Sequence, residues 1–198
     1  MKAIDFMKQL KQNPNYLEMQ RQKEEEVQKK IVEAKNIEAP FIEDIHANEF
    51  IEIKSSGDLL KLKKVDVRLA ALLLKWITQI SNKHHSQEML IRGLAVAEET
   101  FDGTLLIKLF DSESSSFNLK WAIGNTIASA RVQNITDWLE DKLASDNLGK
   151  ECEMLVYAVI KYFPYEKASV TLRKLFKVFP LQVAGAFTYM GKQEDLIF

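Results

Sequence analysis

Leucine recurs every 33 residues, at Leu73, Leu106, Leu139 and Leu172, and no other feature of the sequence constrains the fold as tightly. Four residues further on, Ile77, Phe110, Leu143 and Phe176 repeat the same interval. Two more columns run Leu90, Ile123, Val156 and Leu94, Ile127, Ile160. Positions four apart share one face of an α-helix, so each period holds two amphipathic helices. Neither helix can bury its stripe alone, and stacking successive periods buries both, which is the logic of a helical solenoid. The spacing predicts an all-α chain with helix pairs at 69–80 and 87–98, 103–111 and 116–130, 136–144 and 150–162, and 167–178 and 181–191. The interval shortens once, from Ile160 to Met190, and the tight connection Phe179-Pro180 accounts for it.

Composition agrees. Only 7 Gly and 4 Pro interrupt 198 residues, and both types weaken helix interiors. A formal charge of −1 offers no global attraction to phosphate backbones or anionic membranes. Cys152 is the only cysteine, so no intramolecular disulfide is possible. The first residues lack the apolar core of a signal peptide, and the most apolar run, Leu69–Ile80, is interrupted by Lys75 and too short to span a bilayer. The expected location is cytoplasmic, with no membrane partner.

Residues 1–37 read as an N-terminal helical extension and 38–198 as one continuous repeat domain. In the extension, Ile4, Met7 and Leu10 form a short stripe that stops at Asn13-Pro14. The charge-rich stretch beyond it reads as a solvated helix packing Tyr16, Met19, Val27 and Ile31 onto the array; a partner-binding or dimerising helix is the alternative. Pro40 is expected in the first turn of a short helix containing Phe41, Ile42 and Ile45. It lies 33 before Leu73, as in a degenerate opening repeat. Asp58, after the turn signal Ser55-Ser56-Gly57, is expected to cap the next helix. Acidic residues dominate 37–58. Lys61, Lys63, Lys64, Arg68 and Lys75 come next, read as surfaces complementary to their neighbours or as simply solvated, with a small anion or nucleic-acid patch as the alternative.

At the helix pairs the sequence resembles HEAT repeats of the bacterial type. The residues that carry the likeness are Leu119-Lys120, Ile123-Gly124 and Thr126-Ile127-Ala128 in the second pair, Tyr189-Met190-Gly191 in the fourth, and Asp111 before a turn. Gln87 and Glu153 stand where a basic residue is usual, and Lys161 where a small one is. The resemblance covers roughly residues 66–198 and implies a right-handed α-α superhelix of four to five pairs. It also implies a concave face built by the second helices, where such arrays take their ligands.

On that face Arg92, Asn125 and Ala158 fall at equivalent positions, as do Lys120 and Glu153, while Trp121 lies off the stripe, facing either the groove or the adjacent repeat. Arg92, Lys120, Trp121, Asn125 and Glu153 are therefore the candidate binding residues. Trp76 and Trp138 read as core. His84 and His85 read as a solvated loop pair and Cys152 as a packing residue. No cofactor, metal ligand set or catalytic constellation is legible. The function expected is a non-enzymatic scaffold for a protein partner. Two alternatives come from the resemblance alone: nucleic-acid binding of the DNA glycosylase kind, and an enzyme of the bilin lyase kind.

Overall fold

The computed structural model describes residues 13–194 and is mostly helical; Ile4, Met7, Leu10 and Phe198 lie outside the described residues. Helix α1 spans Pro14–Ala47, 34 residues and about 50 Å long. The Asn13 side chain accepts from the backbone N–H groups of Asn15 and Tyr16, and Pro14 sits in the first turn, where a missing N–H costs nothing.

Two expectations fail on this helix. Pro40 does not open a helix but lies inside α1. Its ring removes one hydrogen bond, and the full burial of Phe41 and Ile45 just beyond it offsets that loss. Nor does the charged half pack onto the array. Every residue from Arg21 to Val32 is exposed, with Met19, Val27 and Ile31 at 55%, 45% and 41%, and Tyr16 only half-buried. Ion pairs one turn apart, Glu18–Arg21, Arg21–Glu25 and Glu26–Lys30, support this segment in place of a core.

A 3-10 turn, Ser56–Lys61, leads to four described helix pairs. They are α2 (Val67–Ile77) with α3 (Ser86–Leu94), α4 (Thr104–Asp111) with α5 (Phe117–Ser129), α6 (Thr136–Ala144) with α7 (Leu155–Tyr162), and α8 (Tyr165–Leu175) with α9 (Pro180–Glu194). Helix α3 packs on the 3-10 turn and on α5, α5 packs on α7, and α7 on α9, so the second helices form one continuous row. The columns supply the core. Leu73, Leu106, Leu139, Leu172, Leu90, Ile123 and Val156 are all fully buried, each worth about 2 kcal/mol of apolar transfer. Phe176 departs: Ile77, Phe110 and Leu143 are buried, but Phe176 is 54% exposed, and among the described residues no further helix pair follows α8 and α9 to cover it.

Successive pairs are also stitched along their edges. Val65 bridges Ala97, and the two-residue strand β1 (Phe101–Asp102) pairs in parallel with β2 (Val132–Gln133). The first two connections thus each hydrogen-bond to the one a period later. Strands this short carry no alternation that sequence could reveal.

Tryptophan makes the other stitch. The Trp76 indole N–H donates to Asp44 at 2.6 Å, and the Trp138 indole to Asp111 at 2.8 Å. Each acceptor also pairs with a lysine of the later element, Lys75 or Lys142, at 2.7 Å. Trp76 meets Phe41 edge-on and Trp138 meets Phe110 in the same way. The Asp44–Lys75 and Asp111–Lys142 pairs share a sequence separation of 31, so the end of α1 occupies the place of an opening repeat. Expected as core, both rings are half-buried: their carbon edge packs inward and their N–H reaches a carboxylate.

The basic stretch is likewise engaged. Lys61 pairs with Asp58, Lys64 with Glu98, and Arg68 with Glu49 and Asp66. Asp66, not Asp58, caps α2, accepting from the Leu69 N–H at 2.8 Å. Asp58 instead closes the 3-10 turn, binding Lys61 and the backbone N–H groups of Lys54 and Ser55. With Lys61 the largest cause, its carboxyl is held down to about 2 from an ordinary 3.8. The unfolded chain therefore takes up this proton first as pH falls. The contribution of Asp58 is complete above about pH 4 and lost on the way down to about pH 2. Urea midpoints measured across that window should drop more steeply for the native chain than for Asp58→Asn; parallel curves would contradict this assignment.

Candidate binding groove on the second helices

Arg92 stands on α3, with its guanidinium Nε and Nη2 both donating to Glu88 at 2.9 and 2.7 Å. Glu88 is buried and is also met by His85 Nδ1 at 3.0 Å. The Arg92 guanidinium lies 4.9 Å from the centre of the Trp121 ring on α5. Trp121 donates its indole N–H to Glu153 at 2.7 Å, and the other Glu153 oxygen accepts from Gln182 on α9 at 3.2 Å. Arg92, Trp121, Glu153 and Gln182 are thus joined in one chain that runs from α3 to α9. Arg92 Nε and Nη2, the Trp121 N–H and both Glu153 oxygens are engaged by neighbours, and the chain ties successive pairs together. Of the two readings of Trp121, contact with the adjacent repeat is the one realised.

Asn125 lies one turn beyond Trp121 and faces open space. With Ala128 and Ser129 of α5, Met154, Tyr157, Ile160 and Lys161 around α7, and Gly185 and Tyr189 of α9, it lines a groove of about 810 Å³. Ala158, the position equivalent to Asn125 by count, is fully buried, and Tyr157 takes its place. The cause is local. A 3-10 turn at Lys150–Cys152 precedes α7, and its three residues per turn rotate that helix by about one position. A count of 33 misses Tyr157 for that reason, and Tyr189 lies beyond the shortened connection at Phe179-Pro180, although Asn125, Tyr157 and Tyr189 succeed each other at a spacing of 32.

Among the described residues, Lys161 is the one charged residue lining the groove. Its ammonium donates to the carbonyls of Ser129 and Ala130, both at 2.6 Å, where α5 ends. A cation there satisfies orphan carbonyls and the helix dipole together, which explains a lysine where a small residue was expected. Burial, with Arg131 nearby, lowers its proton affinity. Tyr162 supports the same helix end: its hydroxyl contacts the Ala130 carbonyl at 3.0 Å and accepts from the Val132 N–H.

Lys120, the fifth candidate, is half-buried on α5 and is not among the residues that line the groove. Cys152 is buried, as expected, and burial pushes its thiol up to about 11. Iodoacetamide at pH 8 should leave the native thiol essentially unmodified and alkylate it once urea unfolds the chain. Rapid labelling of the folded protein would contradict the packing role.

His46 Nε2 lies 2.7 Å from the Ile53 carbonyl oxygen. Among the described residues no group of three or more His, Cys, Asp or Glu is placed to hold a metal ion, and no described helix is long and apolar enough to cross a membrane. Comparison with protein-family models, with curated proteins and with solved structures returned no match.

Proposed function

We propose that this chain is a HEAT-like α-solenoid module, a scaffold that receives an apolar, uncharged segment of a partner protein in the groove of α5, α7 and α9. The observation that carries the reading is the groove itself, formed by Met154, Tyr157, Ile160 and Tyr189 with a polar amide, Asn125, on its wall. Tyrosine offers large rigid contact area at low entropic cost, and an amide can fix the register of a bound backbone. The lysine lining the groove is held by two carbonyls, so an acidic or phosphate-bearing ligand meets a counter-charge that is already engaged. A nucleic-acid partner has less support. The basic segment Lys61–Lys75 is largely paired with Asp58, Glu98, Glu49 and Asp44.

The test is a peptide-display selection against the full chain, followed by binding to Tyr189→Ser and Asn125→Arg. Selected peptides should be rich in apolar side chains and lose at least about tenfold in affinity, about 1.4 kcal/mol, on either substitution. Peptides that bind both variants as well as the native chain would refute the groove. So would duplex DNA binding that falls steeply with salt while no peptide is selected.

A further inference from the structure

We infer that the outer face of α9, together with Phe176, is a two-fold interface between two copies of this chain. From Val178 to Gly191 there are 14 consecutive uncharged residues in a chain that is 28% charged. Over that stretch α9 is in consequence uncharged on every side. Its inner side buries Val183, Ala186 and Met190 on the array, while its outer side presents Leu181 at 81% exposure, with Ala184, Phe187 and Thr188. A helix without a charged side is ordinarily a buried one.

Two polar side chains of this stretch are already committed: Gln182 donates to Glu153, and the Thr188 hydroxyl donates to the Ala184 carbonyl. Beside the stripe, Phe176 and Val178 are 54% and 48% exposed. Phe176 occupies the column whose earlier members are covered by the next pair, as Phe110 is by Trp138. The surface continues the interface that joins successive pairs, at a point where no further pair is described.

Two features select a second copy as its occupant. At a two-fold axis every residue meets its own twin, so a charged patch repels itself and a neutral one does not. The basic residues Arg173 and Lys174 lie on α8, and Lys177 stands between Phe176 and Val178 at the edge of the patch; none of the three is on the α9 stripe. Head-to-tail stacking is closed off as well, because the opposite end of the array is covered by α1 through the buried Phe41, Ile45 and Glu38. An isologous contact between the two α9 ends closes on itself as a dimer.

Sedimentation equilibrium on the full chain over about 1–100 μM tests this. The native chain should be a dimer, and Leu181→Glu should raise its dissociation constant at least about a hundredfold, with helicity by circular dichroism unchanged. Phe176→Lys, at a second exposed position, should do the same. A monomer at every concentration overturns the inference. A dimer that survives both substitutions, as one built on the exposed half of α1 would, also overturns it, and so does an open-ended series of larger species.

Discussion

Replacing Gly103 by alanine is expected to cost about 3 kcal/mol and to lower the melting temperature by roughly 6–12 °C. Gly103 lies between β1 and α4, where its N–H donates to the Gln133 carbonyl at 3.0 Å. A Cβ there would stand 2.3 Å from Ile135 Cγ2, 2.6 Å from Val132 Cγ1 and 2.8 Å from the Gln133 carbonyl oxygen. The last of these atoms is backbone, and Val132 and Ile135 are both buried, so none can swing aside. The added methyl group must push two helix pairs apart along their stitched edge. Chemical and thermal denaturation would measure the loss, and a variant melting within about 2 °C of the native chain would show that the edge gives way freely.

Glu38→Ala is expected to cost about 2–4 kcal/mol. One oxygen of this buried carboxylate accepts from the Ser56 N–H at 2.9 Å, and the other from the hydroxyls of Ser56 and Ser86 at 2.5 and 2.7 Å. Its partners lie 18 and 48 residues away, so one side chain fastens α1 to the 3-10 turn and to the start of α3. Alanine leaves three donors in a dry site, whereas Glu38→Gln keeps the shape and one acceptor oxygen and should lose roughly half as much. Hydrogen exchange adds a regional reading: protection should fall first across residues 38–61. Uniform loss along the chain, or none, would show that Glu38 is not the fastening point.

Much of the fold was legible because burial repeats. A leucine that must be dry in each successive unit returns at a constant interval, and Leu73, Leu106, Leu139 and Leu172 mark it without exception. The helix pairs emerge from that interval to within a few residues. The N-terminal segment was legible in type but not in packing. Its helix propensity and the Asn13-Pro14 start were readable. Whether Val27 and Ile31 find a surface depends on where α1 crosses the array, which no local pattern encodes.

Of the five candidate residues, Arg92, Trp121 and Glu153 meet, but as a tie between repeats. Asn125 reaches the groove and Lys120 does not. Tyr157 was hidden by a 3-10 turn, since a rotation of one residue is invisible to a count of 33 yet decides which side chain points outward, and Tyr189 lies beyond the shortened connection at Phe179-Pro180.

Sequence alone therefore determined the helical class, the approximate pair boundaries and the buried columns apart from Ile160 and Phe176, because each is set by periodic apolar spacing within one or two turns. Tertiary structure decided the rest: the continuity of α1 through Pro40, the fastening by Glu38, the indole-to-carboxylate ties and the open groove. Those features depend on which residues of different elements come within about 3 Å of each other. That is a matter of helix rotation and approach, and the period constrains neither.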